Sequence, residues 1–430
     1  MMRTKKMTFT NFSKANHSEA WCLRPDNERE LINYIGDKNP SSILARGMGL
    51  SYSDSSLCNE GLIIDTSRLN HLIEFNPQTG IAICQGGASI KDLFLYHPEF
   101  IPPVIPGTVH STVAGGIAHD VHGKNNPHAG SFGHHVLWFD LLIRNKMYHC
   151  SREEHNELFY ATLGGLGLTG IIIRAGLQLK NVSRFVQVEN KQFDSIKALT
   201  ETMSTYGLNY NYQVAWLDLL HQEPRAILSL ANHCPPCSYK EKTTYTVSKF
   251  PFGLIKQWNM KLFNSFYFKS KKPKEQLALD QFNNPLDKIR HWNRLYGPKG
   301  LIQFQAVFDQ EHAHSTIEKL VQIIRSNKAT PTLSVLKLFI QSGVGLLSFC
   351  KPGFTIAIDF IHNANAEKAI IAMNQLITEL NGRIYLAKDL LLTPEQFRSM
   401  YPLHEQLSQI AKSYQSPMQS ELAKRLRITE

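Results

Sequence analysis

Residues 45–55 read Ala-Arg-Gly-Met-Gly-Leu-Ser-Tyr-Ser-Asp-Ser, two spaced glycines followed by a crowd of hydroxyls. Gly47 and Gly49 let the backbone come close to a ligand, and Ser51, Tyr52, Ser53 and Ser55 can donate to it, which suits a pyrophosphate. By itself this pattern also fits a plain turn. A second stretch, residues 106–133, is rich in glycine (Gly107, Gly115, Gly116, Gly123, Gly130, Gly133), in small polar residues and in histidine. It has no 3.6 or 2.0 period of apolar residues and so predicts no regular element. Its bare N–H groups and hydroxyls can lie against a large, flat, partly anionic ligand, and the interleaved Val113, Ile117, Val121 and Phe132 argue against disorder. A cofactor bed is the leading reading and a plain loop the competing one.

Two other patterns carry less. Gly165-x-Gly167-x-x-Gly170 has the letters of the dinucleotide fingerprint, which must follow a strand and open a helix. Here a helix-like segment precedes it and the β-branched Ile171, Ile172 and Ile173 follow, so a Rossmann nicotinamide site is rejected. Cys234-Pro-Pro-Cys237, after His233, has the spacing of a redox or zinc half-site. Zinc needs a second pair and the sequence offers none, so no metal is expected.

The elements that must position these loops come next. Strand-like segments at 42–45, 61–65 and 80–85, a hairpin of 135–143 with 147–150, and helices at 27–34 and 154–163 make up the first part. From about residue 182 the texture changes. Strands at 185–189, 212–220, 226–231, 300–308, 333–340, 354–360 and 383–387 alternate with helices at 193–206, 316–325 and 366–380, an α+β pattern with its own core.

The 430 residues carry a net charge of +10, without a nucleic-acid motif to go with it. Lysines at 269, 271, 272 and 274 follow an aromatic-rich segment, residues 250–268. That segment suits an anionic membrane surface or an anionic substrate; a solvated face over a buried aromatic cluster is the alternative. The basic N-terminal residues lack the apolar run of a secretory signal, and the longest apolar-rich stretch, residues 338–350, is too short to span a bilayer. Seven scattered cysteines suit a reducing compartment. The expected location is cytoplasmic or peripheral at a membrane surface, with no signal peptide and no transmembrane helix.

Several motifs carry a resemblance in order along nearly the whole chain. They are Ala45-Arg-Gly-x-Gly-x-Ser-Tyr52, Pro106-Gly-Thr108, Gly115-Gly116, Asp120-x-His-Gly-Lys-Asn125, Gly130-Ser-Phe-Gly133, Gly164-Gly-x-Gly-Leu-Thr-Gly170, Trp292-Asn-Arg-x-Tyr-Gly297 and Tyr385-x-Ala-Lys-Asp389. Together they resemble the decaprenylphosphoryl-β-D-ribose 2-oxidase family, flavoproteins that bind FAD in the vanillyl-alcohol-oxidase manner. The resemblance implies an α+β fold with a two-part FAD-binding PCMH-type domain, residues 1–182 completed by 383–430, and an inserted α+β substrate or cap domain, residues 183–382.

Residue by residue, the resemblance places Ala45, Arg46, Gly47, Met48, Gly49, Leu50, Ser51, Tyr52, Ser53, Asp54 and Ser55 against FAD. Gly107, Thr112, Val113, Ala114, Gly115, His119, Asp120, Val121, His122, Gly170, Ile172 and Tyr385 would join them. Related oxidases attach the flavin through a histidine after the first loop's glycines; Leu50 stands there, so non-covalent FAD is implied. The substrate side would comprise Trp216, Gln303, Gln305, Lys337 and Ala357, with Lys388, His122 and Tyr52 catalytic. Mycobacterial members carry a cysteine where this chain has Ala357, which should leave oxidation intact and remove a thiol open to covalent inhibitors.

The implied activity is oxidation of a secondary sugar hydroxyl, the 2′-OH of a polyprenyl-phosphoryl ribose, to the 2-keto sugar. A short-chain reductase partner would complete epimerisation to the arabino form. Lys388 and His122 compete as the base, and Lys388 could instead act as a cation. Lys337 suits the phosphate. The alternatives are a soluble alditol or sugar oxidase using oxygen, and an FAD-binding protein without turnover.

Overall fold

The computed structural model describes residues 4–38, 40–236 and 243–429. Its first part is built on two sheets. Lys5–Thr10, His17–Leu23, Leu62–Asp65 and Ile43–Arg46 pair in that order, the last three in parallel. Leu72–Asn76, Ile81–Gln85, Ile171–Gln178, Val136–Ile143 and Lys146–Ser151 form an antiparallel second sheet. Leu142, Ile171 and Ile173 of the second sheet share a core with Leu23, Ile43, Leu62 and Ile64 of the first, and helix Glu28–Lys38 adds Leu31 and Ile35. The letters of the dinucleotide fingerprint fall between helix Asn156–Thr162 and strand Ile171–Gln178, the reverse of the order a nicotinamide site needs.

Eight antiparallel strands form the sheet of the second part, in the order Lys274–Ala278, Phe185–Phe193, Arg225–Cys234, Tyr212–Asp218, Pro331–Phe339, Gly353–Ile361, Leu301–Phe308, Arg383–Ile384. Helices Ile196–Ser204, Ala313–Ser326 and Ala364–Glu379 cover one face, bringing Leu199, Leu320 and Met373 onto Phe304, Ile356 and Ile358. Because side chains alternate along a strand, the residues between these core positions stand on the opposite face. That face carries the site.

Two expectations are corrected. The stretch 106–133, predicted to lack regular structure, holds two short helices, Val113–Ala118 and Asn126–Ala129. The first is nucleated by Thr112, whose side chain accepts from Gly115 N, and six residues are too few to reveal an apolar period. Residues 250–268 do not cover a buried aromatic cluster: Gln257–Ser270 is a helix with Trp258, Leu262, Phe263 and Phe266 exposed. The C-terminal segment touches both parts. Arg383–Ile384 is the edge strand of the eight-stranded sheet and helix Pro394–Met400 packs on helix Ala364–Glu379, whereas helix His404–Ser413 lies against helix Asn156–Thr162 and helix Glu421–Leu426 against residues 54–56 of the first part. The same segment bonds back to the first strand layer, Ile43 N to Pro417 O at 3.0 Å and Gln419 N to Ile43 O at 2.8 Å.

Among the described residues no helix is long and apolar enough to cross a membrane. Cys237, half of the CxxC pair, lies outside the described residues.

Candidate active site

The first glycine-rich loop leaves strand Ile43–Arg46 and lies across Thr112, so closely that a Cβ on Gly47 would sit 2.5 Å from Thr112 Oγ1. Gly49 has φ +63°, and a Cβ there would meet the Arg46 guanidinium. Arg46 is engaged within the protein, donating to Ser56 O at 2.6 Å and to Thr10 O at 2.8 Å. The backbone N–H groups of Gly47, Met48, Gly49, Leu50 and Ser51 meet no protein acceptor among the described residues. Five successive donors on a glycine-bearing turn form the kind of concavity that holds an anion. Beside them Ser51, Ser53 and Ser55 link their hydroxyls at 2.9 Å, and Ser55 Oγ reaches His119 Nε2 at 3.2 Å. Burial lowers His119 to about 4, so its ring is neutral at pH 7.

The second loop closes from the opposite side. Val113 N donates to Ala88 O and Ala114 N to Gly86 O, while a Cβ on Gly86 would strike the Ile172 carbonyl. Gly170 is fitted against Leu142 O, and a Cβ on Gly107 would meet nothing within 4 Å. Val121 exchanges backbone bonds with Gly116 and Phe132. Two residues assigned to the cofactor have their side chains spent elsewhere. Asp120 accepts from Ser131 Oγ, Gly133 N, Val344 N and Ser348 Oγ, so its carboxylate fastens three loops together. Asp54 is paired with Arg425 through two bonds of 2.9 and 3.0 Å.

Facing these loops is the uncovered side of the eight-stranded sheet. Trp216 pairs with Val335, Val335 with Ala357 and Ala357 with Gln305, so the four form one row across four strands. Gln303 and Asp359 are paired one step along, and their side chains are hydrogen-bonded. Lys337 lies one step the other way, opposite Thr355. The segment 385–389 then crosses the end of the sheet: Tyr52 N and Ser53 N donate to Ala387 O at 3.0 and 3.2 Å, tying the first loop to the Lys388 motif.

Three ionisable groups meet there. Lys388 Nζ sits 3.5 Å from the centroid of the Tyr52 ring. Burial lowers Lys388 to about 7, Asp359 opposing the shift and Lys337 adding to it. Asp359 is buried, its Oδ2 has no hydrogen-bond partner among the described residues, and burial raises its carboxyl to about 6. Tyr52 is pushed well above the usual phenol range by burial and then by Asp359. His122 is boxed by Phe339, Phe349 and Tyr385. Gln305 Nε2 donates to its Nε2 at 3.1 Å, and Lys337 Nζ stands 3.5 Å from Nδ1. Burial and then the Lys337 charge hold His122 well below its ordinary value, so it is neutral. With Nε2 already accepting from Gln305, the lone pair of the neutral ring is occupied.

Sequence reasoning missed Asp359 and gave Lys124 no role. The signal for Asp359 was present: it lies two residues past Ala357 and therefore on the same strand face. Lys124 is lowered to about 7 by burial and then by Lys337, and donates to Phe282 O at 2.5 Å.

Residues 21–147 match the model of an FAD binding domain. The chain is 32% identical to decaprenylphosphoryl-β-D-ribose oxidase of Mycolicibacterium smegmatis, over 92% of each chain. It belongs to the decaprenylphosphoryl-β-D-ribose oxidase family. More distant likeness, confined to about a third of the chain, reaches cytokinin dehydrogenase 2 of Arabidopsis thaliana (27% identity, 36% of this chain and 31% of that one). A putative D-arabinono-1,4-lactone oxidase of Neurospora crassa is similar over 37% of this chain and 28% of its own, at 26% identity. As a member of the family the chain is an FAD-dependent oxidoreductase of α+β fold. Its residues fit the cofactor: the five unpartnered N–H groups and the linked serine hydroxyls suit the pyrophosphate, and the close glycines leave the backbone bare.

Proposed function

We propose that this enzyme oxidises a secondary hydroxyl of a lipid-linked pentose, the 2′-OH of a polyprenyl-phosphoryl ribose, to the ketone. The observation that supports this most is the placement of one near-neutral amine, Lys388, between the FAD-binding loops and a sheet face lined by Trp216, Gln303, Gln305 and Lys337. Oxidising a carbinol removes a proton from oxygen and a hydride from carbon. FAD supplies the hydride acceptor. Lys388 in its neutral form takes the hydroxyl proton, and the Tyr52 ring against its Nζ holds it in place and stabilises the ammonium that results.

The amides of Gln303 and Gln305 orient the sugar hydroxyls from the strand face, and Lys337, lowered only to about 8, keeps enough charge to meet a phosphate. His122 fixes Gln305 and excludes water with its aromatic neighbours. A ketone at C2 is the substrate of a short-chain reductase that would deliver hydride to the opposite face, and such an enzyme is the expected partner. The name of the Mycolicibacterium relative supports the same substrate class.

Anaerobic mixing with a short-chain prenyl-phosphoryl ribose should bleach the flavin, while ribose 5-phosphate and free ribose at the same concentration should bleach it far more slowly. Equal rates for all three would replace this reading with that of a soluble-sugar oxidase. Absence of bleaching by any would point to a flavoprotein without sugar turnover.

A further inference from the structure

Helix Gln257–Ser270 stands on the rim of the substrate face and turns two unlike sides to its surroundings. Inward, Asn264 donates to Asp218 at 2.8 Å, Tyr267 packs edge-on to Trp216 with centroids 4.9 Å apart, and the Arg225 guanidinium lies over the Phe268 ring. Outward, Trp258, Leu262 and Phe266 follow one another at i, i+4 and i+8 and are 65%, 64% and 72% exposed. Phe263 on the helix and Phe252 in the loop before it are exposed as well. A contiguous apolar stripe of this kind marks a docking surface.

Charge selects the occupant. Residues 243–274 contain seven lysines and no Asp or Glu. Lys271 is paired with Glu275, whereas Lys256, Lys261, Lys269 and Lys272 are exposed around the apolar stripe. A second copy of the chain docking through this surface would set like charges against each other. A bilayer with anionic headgroups accepts both parts of the pattern: rings and the leucine side chain enter the boundary between headgroups and acyl chains, while lysines extend their amines to the phosphates. We infer that Gln257–Ser270 is an interfacial helix that seats the mouth of the substrate site on an anionic lipid bilayer.

The inner side of that helix is in contact with Trp216, the first member of the row Trp216, Val335, Ala357 and Gln305. A lipid-borne substrate therefore passes from the bilayer to the sheet face along one continuous wall. The surface argument does not depend on which sugar is oxidised, and its test contains no sugar, so a wrong substrate assignment would leave it untouched.

The flavin-loaded protein is sedimented with vesicles of phosphatidylcholine alone or mixed with phosphatidylglycerol. Binding is expected to the mixed vesicles, to fall with added salt, and to be weak on phosphatidylcholine. The combined Trp258→Ser, Leu262→Ser and Phe266→Ser variant should bind about tenfold less or weaker still, with flavin content and melting temperature unchanged. Brominated acyl chains should quench tryptophan fluorescence in the parent, and Trp258→Phe should abolish that quenching. Undiminished binding by the triple variant overturns the inference, as does failure of the parent to bind phosphatidylglycerol. Concentration-dependent self-association that the triple variant abolishes, without vesicle binding, would assign the stripe to a second copy instead.

Discussion

Lys388 is pulled in two directions, burial favouring the neutral amine and Asp359 favouring the ammonium, with the Tyr52 ring beneath it on the side of the charge. Its value of about 7 follows from that contest. Lys388→Met should lower the rate of flavin reduction by about 10²–10⁴ while FAD remains bound. Because the amine works as a base only when unprotonated, the parent's reduction rate should rise with pH about a midpoint at about 7 and level off at higher pH. Asp359→Asn removes the negative charge that raises Lys388. The lysine then loses its proton at lower pH, and the rise in the profile moves acidward. Stopped-flow reduction across pH would show both effects, and an unmoved midpoint in Asp359→Asn would detach that carboxyl from the lysine. Lys388 was legible through its motif, and the basicity of His122 was not. Only the fold reveals that Gln305 already occupies the ring's Nε2.

Strands with a buried face were the most legible elements, because the alternation survives in sequence, as in Leu301–Phe308 with Gln303 and Gln305 set between core residues, whereas Lys5–Thr10 and Leu72–Asn76, with no buried residue, gave no signal. Helices Ile196–Ser204, Ala313–Ser326 and Ala364–Glu379 were legible for the same reason, whereas Gln257–Ser270, with its apolar residues turned to solvent, was not. Val113–Ala118, Pro394–Met400 and Glu421–Leu426 were not, since helices of six or seven residues span fewer than two full turns and show no stripe. The glycine loop was legible as a binding element, but its tight seat on Thr112 was not. Gly47→Ala forces a methyl group to within 2.5 Å of Thr112 Oγ1. The overpacking should cost about 1–3 kcal/mol and lower the flavin content of the purified protein. Flavin is read from the supernatant after acid precipitation, where all of it is expected, since Leu50 offers no nucleophile.

The two parts of the molecule are fastened by charge as well as by apolar contact. Arg425 pairs with Asp54 from the first glycine loop and with Asp389 from the lysine motif, and the two carboxylates are 5% and 1% exposed. Arg425→Ala strands both, and the loss should be about 3 kcal/mol, the low end for a broken buried pair because the arginine keeps a quarter of its surface in water. Denaturant unfolding monitored by flavin fluorescence should show the cofactor released at lower denaturant than in the parent. The shift in texture near residue 182 falls between the strands of the first two sheets and those of the eight-stranded sheet. That Arg383–Ile384 is the edge strand of the eight-stranded sheet was not legible, because a strand of two residues shows no alternation.

The bonds from Tyr52 and Ser53 to Ala387 set an order on the making of the protein. The flavin loop is synthesised early, yet the Ala387 carbonyl that it bonds, the Lys388 amine and the Arg425 clamp come more than 300 residues later. A ribosome that has released only the first half of the chain presents a loop whose donors have nothing to close over them. Cofactor capture is thus a late event in this protein's biogenesis, and a message cut short before codon 388 would give neither a weakened enzyme nor a stable holoprotein.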